Sequence, residues 1–325
     1  MNILEIPISK CRLGDILSKD IAIHKGTTLI TKNTILDECL LKLLWDWGIN
    51  KIWIYSNYSL EIRNVNKDML FGIDESYKAS MTAFEVILKD LTSKKDFSYE
   101  DLEKLTLSIY ENIDNEERII KYLHSPKTYD NYLLSHSVNV SYYAMLIGKW
   151  LGMSKKLILD LITAGLFHDI GKLKIPQYIL SKTRALTTKE FEIIKQHVSF
   201  GYDMVKDIKH LDRNIKESIL MHHERLDGSG YPNGITNEGI GEYARIIAIA
   251  DVYDAMTSDR VYREKISPQK TLQMFLESSG ITYDKYYLNI FLSNLVTQLL
   301  NTRVKFMPEI GNITINTLTN NTVRL

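Results

Sequence analysis

Seven side chains in this sequence share a chemistry: His136, His168, Asp169, His197, His222, His223 and Asp251. Imidazole and carboxylate together cage divalent cations, and a set without thiolate suits Fe or Mn better than Ca or Mg alone. Singly, each has an ordinary explanation, because a buried histidine is more often a hydrogen-bonded core residue than a ligand. Jointly the ordinary explanation fails. The chain has eight histidines, and five of them fall on or beside its most apolar segments, with His24, His124 and His210 apart. Five imidazoles and two carboxylates are too many polar groups for a packing core unless they converge, and convergence on metal satisfies them all.

Five helical segments position these residues. His136 shares a face with Val140, Tyr143, Ala144 and Ile147. The stretch from Leu157 to Lys172 is apolar nearly all round, starts after Ser154 as N-cap and ends in His168-Asp169. An ionised aspartate there needs a cation, which a divalent metal or Lys172 one turn on could supply. Thr187-Thr188-Lys189-Glu190 fits a capping box, and His197 then lies with Ile193, Ile194, Gly201 and Met204. His222 and His223 close the segment that runs from Ile215 through Ile219 and Leu220, where adjacent histidines can turn toward one centre. Asp251 sits on the stripe of Ala244, Ile247 and Ala248, and a carboxylate on such a stripe needs a partner.

The remaining composition narrows the function classes. The chain has 325 residues, with 40 basic against 40 acidic side chains. That balance excludes a general binder of nucleic acid, which needs a basic excess. No apolar run approaches the roughly 20 residues that cross a bilayer, so membrane insertion is not expected. The first residues carry no basic stretch followed by an apolar one, so no signal peptide is expected. Two cysteines, Cys11 and Cys39, give no disulfide framework, and a reducing cytoplasm is the natural setting.

Along the chain, residues 1–62 read as a small α+β module. Its strands lie near 21–23, 27–30 and 51–55, with a helix from Leu36 to Trp47 capped at Gly48. Residues 63–125 read as a helical connector with helices over 69–92 and 99–123. Residues 126–300 are helical and carry all seven candidate ligands. Residues 301–325, rich in Asn and Thr, read as a strand pair or a loose tail.

One string is specific enough to name a family. His222-His223-Glu224-Arg225-Leu226-Asp227-Gly228-Ser229-Gly230-Tyr231-Pro232 resembles the HHExxDGxGYP signature of the HD-GYP group of HD metal phosphohydrolases. His168-Asp169-Ile170-Gly171-Lys172, Lys195-Gln196-His197, Asp251-Val252-Tyr253-Asp254 and Arg260-Val261-Tyr262-Arg263 are similar to further parts of the pattern, which covers about 127–295. The first 60 residues are similar, less specifically, to a module that often precedes this domain.

The resemblance implies a mainly α fold, an HD-type helical bundle with a two-metal site, preceded by the small α+β module. It implies a cytoplasmic hydrolase that cleaves cyclic di-GMP to pGpG, and onward to GMP, through a metal-bridging hydroxide. One divalent ion, Fe or Mn, would be held by His136, His168, Asp169 and Asp251. Asp169 would bridge to a second held by His197, His222 and His223. Lys172 would sit by the scissile phosphate and act with Asp169 in catalysis. Arg260 and Arg263 would grip substrate phosphates. Tyr231 is either a stacking surface for guanine or packing for its loop, and that loop would also dock diguanylate cyclases of the GGDEF type. A homodimer is compatible with this pattern. Tyr132 stands where some members carry a third-metal Glu, so two metals are expected. Lys182-Thr183-Arg184 replaces the usual Lys-Pro-Gly, and Gly280-Ile281-Thr282-Tyr283-Asp284-Lys285 is a weaker match than the usual segment. Two other readings stay open: a phosphohydrolase for another cyclic dinucleotide, and a module that binds ligand or partner without turnover. The complete ligand set with Lys172 argues against the latter.

Overall fold

In the N-terminal part, alternating apolar residues build a small antiparallel sheet. The computed structural model describes all residues except 1–2, 13–14, 24–26, 31, 33, 35, 37–39, 42–43, 46–47, 60–66, 94–96, 113–115, 125–130, 183, 259–270, 272–273, 276, 301–303, 310–311, 318–320 and 325. Strand β1 (Ile3–Pro7) pairs with β5 (Lys51–Ser59), which also pairs with β2 (Asp15–Leu17), while β3 (Ile21–Ile23) and β4 (Thr27–Ile30) form a hairpin. Leu17, Ile30, Leu36, Leu44 and Ile52 fill a core of their own. Leu40, Leu41, Leu44 and Trp45 are helical, and that turn closes with Gly48 N–H donating to Trp45 O and Ile49 N–H to Leu44 O. These are the paired closing bonds of a helix C-terminus.

The helices follow in order: α1 (Lys67–Thr92), α2 (Tyr99–Glu111), α3 (Glu116–His124), α4 (Tyr132–Trp150), α5 (Lys155–Phe167), α6 (Gln177–Leu180), α7 (Thr188–Lys195), α8 (His197–Val205), α9 (Arg213–Met221), α10 (Glu242–Thr257) and α11 (Lys285–Leu300). The stretch 99–123, expected as one helix, is two. Asn112 caps the first, and Glu116 and Glu117 open the second, where their charge suits the positive helix end. Other starts follow the local sequence. Ser154 accepts the Leu157 N–H, and Thr187 and Glu190 form the reciprocal capping box. After α11 the tail forms an antiparallel three-stranded meander, β6 (Val304–Glu309), β7 (Asn312–Thr317) and β8 (Asn321–Arg324). Among the described residues no helix is long and apolar enough to cross a membrane.

A single hydrophobic core runs through most of the helices. Tyr77 and Phe84 of α1, Ile109 of α2 and Ile120 of α3 join Tyr143, Phe167, Ile219, Tyr253 and Phe291 of the later helices. Burial of each such side chain is worth about 1.5–3 kcal/mol. Tyr143 and Tyr253 meet edge-on at 5.1 Å, and Tyr253 meets Phe291 at 5.0 Å, which locks α4, α10 and α11 together.

Two close approaches then set the positions of the candidate ligands. A Cβ on Gly165 would lie 2.6 Å from Ser141 Cα, so glycine there lets α5 seat directly on α4. After α5 the chain makes a 3₁₀ turn over Ile170–Lys174. A Cβ on Gly171 would lie 1.8 Å from His197 O, so this turn touches the start of α8 backbone to backbone.

Candidate metal centre

The seven residues meet at the point where α4, the end of α5, the start of α8, the end of α9 and the middle of α10 converge. His136, His168, Asp169, His197 and His222 are essentially fully buried, and Asp251 is 6% exposed. His223 is partly buried. Their ligand atoms fall into two groups, Asp169 with His197, His222 and His223, and His136 with His168 and Asp251.

Three of the histidines are anchored in the same way. The Nδ1 of His168 lies 2.8 Å from Gly165 O, that of His197 2.7 Å from Ile194 O, and that of His222 2.9 Å from Ile219 O. A carbonyl only accepts, so each Nδ1 carries the proton and each Nε2 presents a lone pair. Burial, reinforced by neighbouring imidazoles, holds His222 well below the ordinary imidazole value. Burial also lowers His197.

These lone pairs point at one another. His197 Nε2 and His222 Nε2 are 3.5 Å apart. His197 Nε2 is 3.2 Å from Asp169 Oδ1, and His168 Nε2 is 3.3 Å from Asp169 Oδ2. Both His168 Nε2 and Asp169 Oδ1 are buried without a hydrogen-bond partner. Acceptors facing acceptors in a dry interior are costly, and a cation between them removes the cost. The donor set therefore fits divalent metal. Asp169 aims one oxygen at each group, since Oδ2 also lies 3.6 Å from His136 Nε2.

His136 is held differently. Its Nδ1 donates to Asp254 Oδ2 at 2.6 Å, and its Nε2 lies 3.1 Å from Asp251 Oδ1. Burial opposes charge on this ring, but the bonds to Asp251 and Asp254 outweigh it and push His136 to about 9. Asp254 Oδ1 accepts from Asn139 Nδ2 at 2.8 Å, and Asn139 Oδ1 accepts from Tyr77 OH at 2.6 Å. Tyr132, at the third-metal position, lies flat on the His136 ring at 5.4 Å. Burial works against ionisation of Asp169 and Asp251. The Lys172 charge outweighs it for Asp169 and the His136 bond for Asp251, holding both carboxyls well below their usual range.

Lys172 Nζ stands 2.5 Å from Asp169 Oδ2 and is partly open to solvent. Both cationic partners weighed for Asp169 thus have a place, since Lys172 takes Oδ2 while Oδ1 stays unmet. Tyr231 stacks on His223 at 4.6 Å and meets Phe191 edge-on at 6.3 Å. Glu224 is buried and accepts the N–H groups of Asn233 and Ile235, which ties the Gly-Tyr-Pro loop to the end of α9. Arg260 and Arg263 lie outside the described residues. Of the histidines set apart, His124 reaches Tyr253 OH at 2.7 Å and His210 packs on Tyr99, both away from the cluster, and His24 lies outside the described residues.

Sequence reasoning assigned no role to Asp254, Asn139 or Glu224. The signal for the first two was present: each follows a candidate ligand by three residues, Asp251 and His136, so each shares its helix face.

Comparison with known proteins agrees with this geometry. Cyclic di-GMP phosphodiesterase PA4108 of Pseudomonas aeruginosa is 38% identical over 154 residues, covering 47% of this chain and 37% of that protein. Cyclic di-GMP phosphodiesterase PdeB of Borreliella burgdorferi is 27% identical over 308 residues, covering 88% and 77%. The chain thus spans well under half of the first relative and about three quarters of the second. Among solved structures, Bd1817, an HDG"Y"P protein from Bdellovibrio bacteriovorus, shares the fold with a TM-score of 0.59 at 16% identity, covering 90% of this chain and 99% of that one. The HD domain model matches residues 89–286, a span that contains all seven converging side chains and most of the helical core; the chain belongs to the HD domain family.

Proposed function

We propose that this chain is a metal-dependent phosphodiesterase that hydrolyses cyclic di-GMP to pGpG and onward to GMP. The observation that carries the reading is the pair of opposed lone pairs on His197 and His222 beside an Asp169 oxygen without a hydrogen-bond partner. His136, His168 and Asp251 would hold one divalent cation, and His197, His222 and His223 a second, with Asp169 giving one oxygen to each. Iron or manganese suits these ligands. Bound there, the pair of cations supplies neutralisation of the phosphodiester and a lowered pKa for attacking water.

The chain's own residues do the rest. Asp169 fixes the separation of the two groups, and Asp254 and three backbone carbonyls fix the tautomers that leave lone pairs inward. Lys172, already paired with Asp169, is placed to neutralise charge that grows on the phosphoryl oxygens as water adds to phosphorus. Arg260 and Arg263 would clamp the other phosphate of the ring. Tyr231 would border the substrate. Relatives named as cyclic di-GMP phosphodiesterases support this substrate, and two Vibrio cholerae relatives, 33% and 30% identical, are named 3'3'-cGAMP-specific phosphodiesterases, which makes another cyclic dinucleotide the second reading.

The test is a chromatographic turnover assay on protein reconstituted with Mn(II) or Fe(II), set beside an Asp169→Ala variant. The reading expects pGpG from the wild type and none from the variant. Wild-type protein loaded with metal that leaves cyclic di-GMP intact would remove it, and failure to hydrolyse any cyclic dinucleotide would leave a binding module.

A further inference from the structure

Four of the five converging imidazoles are oriented by a hydrogen bond at Nδ1, to Gly165, Ile194, Ile219 or Asp254. His223 is different. Among the described residues no hydrogen bond reaches either of its ring nitrogens, and the nearest carboxylate oxygen, Asp251 Oδ2, is 4.0 Å from Nδ1, too long for one. Only ring contacts hold it: His222 tilted at 4.2 Å and His197 edge-on at 5.1 Å, both candidate ligands themselves, and Tyr231, the contact from outside the cluster, stacked with centroids 4.6 Å apart and planes 26° apart.

That stack is enforced by the loop. The Tyr231 N–H donates to His223 O at 3.2 Å, so the tyrosine is bonded to the backbone of the residue whose ring it covers. The loop can come this close only because residue 230 has no side chain: a Cβ there would lie 2.4 Å from His223 O and 2.5 Å from Arg225 N. Beyond Tyr231, the Glu224 carboxylate takes the Asn233 and Ile235 N–H groups and holds the returning strand of the loop. Around the tyrosine, Phe191 packs edge-on at 6.3 Å and Lys195 Nζ lies 5.6 Å from the ring. The Gly-Tyr-Pro loop is therefore built as a clamp with the tyrosine as its jaw.

We propose that Tyr231 is a positioning residue for His223, its ring face replacing the hydrogen bond that orients every other histidine of the centre. Binding of the second cation then depends on an aromatic face at position 231 and does not depend on the tyrosine hydroxyl. The proposal rests on the two-cation reading above.

Three full-length proteins test it: wild type, Tyr231→Phe and Tyr231→Leu, the leucine keeping apolar bulk so that the loop stays packed. Each is stripped with chelator and titrated with Mn(II). Bound metal is counted by elemental analysis, and the paramagnetic signal is read for coupling between ions. Wild type and Tyr231→Phe are expected to hold two coupled ions. Tyr231→Leu should keep the first and bind the second about 10–100-fold more weakly, the range seen when a ligand loses its supporting contact. Two coupled ions of wild-type affinity in Tyr231→Leu would overturn the inference and leave the two-cation reading intact. The same holds for a Tyr231→Phe variant as weak as Tyr231→Leu. A wild type that takes up no metal would overturn both.

Discussion

Asp254 accepts the Nδ1 proton of His136 at 2.6 Å while Asp251, one turn earlier on the same helix, faces the opposite nitrogen. One helix face thus orients the imidazole and supplies a carboxylate beside it. Asp254 is itself fixed by Asn139, and Asn139 by Tyr77 from α1. Helix α1 therefore reaches the candidate metal centre through a chain of three hydrogen bonds.

Asp254→Ala should lower affinity for the cation on the His136 side by about 10–100-fold, because the ring loses both its tautomer and its orientation. Tyr77→Phe should weaken it by less, since Asn139 keeps its bond to Asp254. Metal titrations of the two variants measure this. Equal effects, or none, would remove Asp254 from the role.

Lys172→Ala separates holding metal from using it. The two ligand groups do not include Lys172, so metal content should be unchanged. Loss of one preorganised charge at the phosphoryl oxygens should lower kcat by about 10²–10³. Unchanged kcat would reduce Lys172 to a counter-charge for Asp169.

Much of the centre was legible in the sequence. Each candidate ligand lies on or at the end of an apolar stripe, and a charged or imidazole side chain there has few ways to be satisfied. What a one-dimensional pattern does not carry is ring orientation. That Asp254 points at Nδ1 of His136, or that Tyr231 covers His223, depends on helix crossings and on loop approaches set by Gly171 and Gly230. The break of 99–123 into two helices turns on Asn112 and on the acidic pair Glu116 and Glu117, a local signal weaker than the apolar period on either side. In the tail, the alternating Ile that suggested a strand pair belongs to a meander of three strands.

Gly171→Ala should destabilise the fold, because the added methyl meets His197 O and Gly201 N and neither backbone group can retreat alone. Overpacking of this kind costs about 1–3 kcal/mol, or more where the backbone must move. Thermal unfolding of the metal-free variant measures it. The same melting temperature as wild type would mean that the turn and α8 are not locked together.

The metal-free protein should be most stable near pH 6.5. His222 and His223 are held by burial well below the ordinary value of 6.5, so the unfolded chain takes up protons that the folded one refuses. Stability therefore falls as pH drops through 6.5. His136 acts in the opposite sense. Burial disfavours its charge, but its carboxylate bonds raise it to about 9, so its contribution is complete below 6.5 and is lost as pH rises toward 9. Denaturation curves across this range should show a maximum between two falling arms. Stability that keeps rising on acidification would contradict the neutral state of His222 and His223.

The central claim is that two cations sit either side of Asp169, and anomalous diffraction from crystals grown with Mn(II) tests it most directly. The account predicts two manganese peaks about 3.5–4 Å apart. One should lie among His136, His168 and Asp251, the other among His197, His222 and His223. A single peak, or peaks away from these side chains, would contradict it.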